Sequence, residues 1–243
     1  MNISKVIDEC RRFSFECPEI FFYDLTDSTN TRAREYAREH PENKEPKVFV
    51  ADAQSLGRGR RGRSFCSNAG AGIYVSFLIY PDECGAFATG ITAYSAVALA
   101  RATEASSSAV PSIKWVNDLY LEGKKLAGIL AECEMNSDGK ISYLVLGMGI
   151  NVYKTELPEE ISSIATSIED VTGERISREN LLANIIRIFL SGLDGVYSDE
   201  ILELEKQGKI PFEDTFYHRI KKTYADAGVD VSRETADHLE EKY

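Results

Sequence analysis

The chain has 243 residues, 43% of them hydrophobic, enough to bury the core of one moderate-sized domain with a small appendage. Its formal net charge of −11 disfavours a general nucleic-acid surface and a polybasic membrane anchor. No apolar run reaches bilayer-spanning length, MNISKVIDECRRF lacks a signal-peptide core, and five scattered cysteines without a CxxC pair argue against a disulfide framework or structural zinc and for a reducing cytoplasm.

Residues 4–13 read as a short helix. The segment TDSTNTRAREYAREHP offers capping residues and a proline stop, which predicts a helix from Thr29 to His40. PKVFVADAQ is a strand that enters an arginine-rich stretch. GIYVSFLIYP is apolar on both alternating sides, as expected of a strand covered on each face. FATGITAYSAVALARATEA reads as a buried helix, and SIKWV, KLAGILAECEM and ISYLVLGMGINV as three strands. The last two meet through NSDG, a hairpin turn. From about residue 160 the chain turns helical, with one helix in SRENLLANIIRIFLSGL and another from Tyr197 to Gln207. This order is not a regular βα alternation. It predicts an α+β fold, a mixed or antiparallel central sheet covered by helices. The main unit is expected over residues 1–205, with 206–243 as a short, mostly helical segment.

The stretch SLGRGRRGRSF, residues 55–65, sets four arginines and three glycines within seven positions of an acidic protein. A solvated surface loop, an RNA-binding segment and a clamp for a small polyanion are its three readings. Arginine forks bind phosphate bidentately, and glycines let backbone amides approach and the loop close; no GKS or GKT follows, so it is not a P-loop. On the loop alone the three stay open. KWVNDLYLEGKKLAGILAE, residues 114–132, adds Lys114, Asn117, Asp118 and Lys125 within an apolar pattern. Edge-strand lysines with a turn at Asn117-Asp118 are the plainer reading of that segment.

Together with DSTN at 27–30 and GMGIN at 147–151, these four motifs, in order over residues 23–152, resemble the biotin protein ligases. The resemblance implies activation of biotin by MgATP to biotinyl-5′-AMP, then transfer of biotin to one lysine of a biotin carboxyl carrier domain. It implies that Ser28, Thr29, Asn30 and Gln54 line the polar end of the biotin pocket. Gly57, Arg58, Gly59 and Arg60 would fold over biotin and the phosphates, and Arg63 would neutralise the triphosphate while Arg61 faces solvent. Lys125 matches the lysine between the biotin carboxylate and the α-phosphate, making Lys125, Arg60 and Asp118 the catalytic candidates. Asp118 would either hold Mg²⁺ or orient a lysine. Asn117 and Asn151 would face the nucleotide, with Lys114 a weaker phosphate contact. Gly128 would let its strand pack on the biotin ring.

Three positions depart from the family pattern. Phe65 stands where tryptophan is usual, leaving an aromatic face for adenine; Val116 replaces the proline of KWPND; Gly72 replaces an asparagine. The small C-terminal β domain has no clear match, and about 25 residues before STN leave no room for a helix-turn-helix. A monofunctional enzyme without specific DNA binding or membrane attachment is therefore expected. Its oligomeric state, monomer or homodimer, is open. A lipoate or octanoate ligase, or a non-catalytic biotin- or nucleotide-binding protein, is the alternative. Residues 57–65 are expected to lack partners for their arginines until an anion arrives.

Overall fold

The computed structural model describes residues 1–80, 86–114 and 117–196. Helix α1 (Ile3–Arg12) is capped by Asn2, whose side chain accepts from Lys5 N. Strand β1 (Glu19–Thr26), helix α2 (Thr29–Glu39) and strand β2 (Lys47–Gln54) form a βαβ unit in which β1 and β2 run parallel. Strand β3 (Gly72–Ile79) follows the arginine loop and is buried along its whole length, as its two-sided apolar pattern predicts. Helix α3 (Ala86–Ser106) leads to β4 (Ser112–Lys114), β5 (Asp118–Leu121), β6 (Lys124–Met135) and β7 (Ile141–Asn151). Short helices α4 (Glu159–Ser162) and α5 (Ile168–Thr172) precede the long α6 (Arg178–Val196).

The strands form one mixed seven-stranded sheet in the order β1-β2-β3-β7-β6-β5-β4. Only the β1–β2 pair is parallel; the others are antiparallel. The fold is therefore the expected α+β one. Helices α1, α3 and α6 cover one face. There Phe77 packs on Phe189 with ring centroids 4.5 Å apart, and Val6 and Cys10 of α1 join the same core. Helix α2 lies on the other face over β2, β3 and β7, setting Ala33 and Ala37 against Phe49, Leu78, Tyr143 and Val145. Beside the N-terminus of α2 the described residues leave a gap on that face, and this gap is the site.

Two strands were not foreseen, β1 and β5. Of Asn117-Asp118, read as a turn, Asn117 does lie in a turn, while Asp118 already belongs to β5 and pairs with Gly128 of β6. The β6–β7 hairpin turns as expected: the Asn136 side chain accepts from Asp138 N and Lys140 N. Val116, the helix expected at Tyr197–Gln207 and the boundary at 205/206 lie outside the described residues. No helix among the described residues is long and apolar enough to cross a membrane.

Candidate active site

The α2 side of the sheet holds a cavity of about 470 Å³. Its floor is made by Gly128 and Leu130 of β6 and Gly147 and Gly149 of β7, which the register sets side by side. Those glycines are forced by what lies above them. A Cβ on Gly147 would strike the Asn30 side chain, and one on Gly149 would lie 2.6 Å from the Phe65 ring. The arginine loop forms the roof as a small hairpin. Arg58 pairs with Ser64, Gly59 N donates to Arg63 O at 2.7 Å, and Arg61 and Gly62 turn the chain with φ of 56° and 72°.

One end of the cavity is a polar network. Thr29 N donates to Gln54 Oε1 at 2.8 Å, and Gln54 Nε2 donates to Ser67 Oγ at 2.9 Å. Buried Ser76 Oγ lies 2.6 Å from Asn30 Oδ1 and 2.7 Å from Thr29 Oγ1. Asn30 Nδ2 faces the Glu132 carboxylate at 2.8 Å, so its Oδ1 can only accept. The single Ser76 proton therefore goes to Asn30, and the Thr29 proton is taken within the network, by Ser76 Oγ at 2.7 Å or by Gln54 Oε1 at 3.2 Å. What Thr29 keeps for the cavity is an acceptor. Ser28 occupies the N-cap position of α2 with extended backbone but makes no capping bond; its side chain lines the cavity instead.

The other end is cationic. Among the described residues, six cationic side chains (Arg58, Arg60, Arg61, Arg63, Lys114 and Lys125) line the cavity against a single carboxylate, Asp118; Arg61, expected to face only solvent, is exposed but also part of this lining. Lys125 Nζ donates to Asp118 Oδ1 at 2.8 Å. Asn117 Nδ2 donates to Asp118 Oδ1 and to Ile129 O, and its Oδ1 accepts from Arg60 Nη1 at 2.9 Å. The backbone of Lys125 is held too: its N donates to Ile164 O and its O accepts from Thr166 N.

Of the site residues read from sequence, Ser28, Thr29, Asn30, Gln54, Arg58, Gly59, Arg60, Arg63, Phe65, Asn117, Asp118, Lys125 and Gly128 all line this one cavity. Gly57 and Asn151 do not. Gly57 packs behind the roof against Phe65 O and Ser67 Oγ. Asn151 Nδ2 donates to Thr166 O at 3.0 Å, steadying the segment that brackets Lys125 rather than facing the cavity. The expectation that the loop arginines lack partners fails for two of them: Arg58 meets Glu132 at 3.0 Å, and Arg60 meets Asn117. Glu132, Ser76 and Ser67 were missed. The signal for the first two was a polar side chain inside an otherwise apolar strand.

A family model described as the biotin/lipoate A/B protein ligase family matches residues 22–151, more than half of the chain. The chain belongs to this family. Among biotin/lipoate ligase relatives, the bifunctional ligase/repressor BirA of Bacillus subtilis is 33% identical over 172 residues, 70% of this chain and 52% of that one. The biotin--[acetyl-CoA-carboxylase] ligase of Mycobacterium tuberculosis is 34% identical over 144 residues, 58% of this chain and 51% of that one. The chain thus spans about half the length of the curated relatives it matches. Among solved structures, the biotin protein ligase from Aquifex aeolicus in complex with biotin and ATP superposes with a TM-score of 0.62 at 32% identity, covering 72% of this chain and 70% of that chain. The sheet described above is therefore this family's catalytic fold.

Proposed function

We propose that this biotin/lipoate ligase family member activates biotin with ATP and transfers the biotinyl group to a lysine of a carboxylase's carrier domain. The observation that carries the proposal is one cavity with a neutral, hydrogen-bonding end and a cationic end, bridged by the Arg58–Arg63 hairpin. The relatives and solved structures named above are biotin ligases, which favours biotin over lipoate or octanoate. Biotin's ureido ring offers N–H donors and a carbonyl acceptor. Thr29 presents an acceptor, and the Ser28 hydroxyl supplies either function.

The chemistry needs the opposite end. A biotin carboxylate oxygen attacks the α-phosphorus of ATP, forming a P–O bond as the bond to the bridging oxygen breaks and pyrophosphate leaves. Two anions must approach, and fixed cations offset their repulsion. Lys125, held by Asp118, is the cation assigned to the meeting point of carboxylate and α-phosphate. Arg60, held by Asn117, and Arg63 face the outgoing phosphates. Phe65, packed over Gly149, gives an aromatic face to adenine. In the second step a carrier lysine amine attacks the acyl carbon and AMP departs.

Asp118 is the single carboxylate in the cavity lining, and among the described residues no group of three or more His, Cys, Asp or Glu side chains could hold a metal. This donor set fits Mg²⁺ carried in on the triphosphate, which Asp118 would hold. Mg²⁺ there would neutralise phosphate charge. Incubation with MgATP, biotin and an isolated biotin carboxyl carrier domain tests the proposal. One biotinyl mass increment on the carrier is expected; an unmodified carrier under turnover conditions would refute it.

A further inference from the structure

Glu132 has no part in the chemistry above, yet it touches both the polar end and the roof of the cavity. It sits on β6, and its side chain is only 19% exposed. It accepts from Asn30 Nδ2 at 2.8 Å, meets Arg58 Nη2 at 3.0 Å and lies 3.6 Å from Arg34 Nη1. Asn30 and Arg34 are one helical turn apart on α2 and share a face. Arg38, one turn further, meets Glu134, the next residue on the same face of β6, at 3.0 Å. The α2–β6 seam is thus a ladder of polar pairs, and the arginine hairpin is tied to it at Glu132.

The second tie of the hairpin is on the opposite wall, where Arg60 donates to Asn117. One tie is ionic and the other neutral. Besides Arg58, Glu132 has the Asn30 amide and the Arg34 guanidinium beside it. Asn30 and Arg34 remain with it when Arg58 leaves, so opening strands no buried charge. Arg58 is 41% exposed and faces the cavity, where a triphosphate or carboxylate would present a stronger set of acceptors than a carboxylate shared with Arg34.

We propose that Glu132 is a positioning residue for the reaction. It stands in for the substrate anion in the ligand-free protein, holding Arg58 and its hairpin over the cavity, and gives Arg58 up when that anion arrives. The identity of the anion rests on the biotin ligase reading; the pairing itself does not.

Trypsin cleavage at Arg60–Arg63 reads the hairpin directly. In ligand-free protein, Glu132→Gln keeps the length of the side chain and an acceptor for Asn30 and should speed cleavage about fivefold. Arg58→Gln should do the same, and the double variant should be no faster than either single one. Unchanged cleavage in either single variant, or full multiplication of the two effects, would overturn the pairing. Arg58→Gln leaves the Asn30–Glu132–Arg34 seam intact, so it decides the matter even if Glu132→Gln fails to fold. With MgATP and biotin added, Glu132→Gln should be protected as well as wild type, because Arg58 then has its anion. A difference that persists would contradict the exchange. Absence of ligand protection in wild type would instead refute the function proposed above and leave the ligand-free comparison standing.

Discussion

At the scale of residues, the proposed chemistry depends most on Lys125. Its ammonium is aimed by Asp118 and its backbone is pinned on both sides, by Tyr120 of β5 and by Ala165. Lys125→Ala should lower the rate of adenylation by about 3 kcal/mol, a hundredfold or more, in a protein that still folds. Pyrophosphate release measured on the variant tests this, and a rate within a few-fold of wild type would move the role to another cation. A second residue contributes to acid stability. Burial alone would raise the Asp27 carboxyl, but Ser28 N at 2.6 Å, the Thr26 hydroxyl and Arg32 together hold it below the usual carboxylate range. A depressed carboxyl stabilises the fold above its unfolded pKa of about 3.9 and loses that contribution as pH falls through the folded value. Asp27→Asn should thus lower stability at neutral pH and flatten its decline below about pH 4, measured by urea unfolding across pH. A decline as steep as wild type's would show that Asp27 carries no share of it.

At the scale of elements, α2, β2, β3, α3, α6 and the β6–β7 hairpin were legible because each has an unambiguous period, cap or turn. β1 was not: EIFFYDLT is a continuous apolar run bracketed by acids, and its parallel partner lies across a helix, which no local pattern announces. β5 was hidden because it is four residues long and follows directly on the turn at Asn117, so no separate period announces it. The site was legible where charge and glycine cluster, in GRGRRGR and KKLAGIL. It was illegible where a residue acts through another, as Glu132 does on Arg58 and Asn151 on the Thr166 segment. The hairpin should gain protection on ligand binding: MgATP with biotin should slow trypsin cleavage between Arg58 and Arg63 by about tenfold or more, as arginines acquire anionic partners. Equal cleavage with and without ligands would remove the hairpin from the binding site. On the opposite face, α6 is held by Phe189, buried between Phe77 and Tyr94. Phe189→Ala should cost about 3–5 kcal/mol in chemical denaturation. A loss below about 1 kcal/mol would mean α6 is not integral to the core.

At the scale of the whole molecule, a chain of net charge −11 gathers six cations around one cavity. The acidic remainder repels polyanions such as nucleic acid, while the cavity concentrates positive charge where a triphosphate and a carboxylate would meet. The parallel β1–β2 edge and α2 present the neutral end; the antiparallel β5–β6 pair presents Asp118 and Lys125. The fold therefore brings together groups from residues 28 and 125 that sequence separates by half its described length. The most direct measurement is pyrophosphate release by the purified protein with MgATP, to which biotin or lipoate is added. The account predicts release on addition of biotin and none above background with lipoate. Equal release with both would contradict the assignment of biotin as substrate, and no release with either would contradict the adenylation chemistry itself.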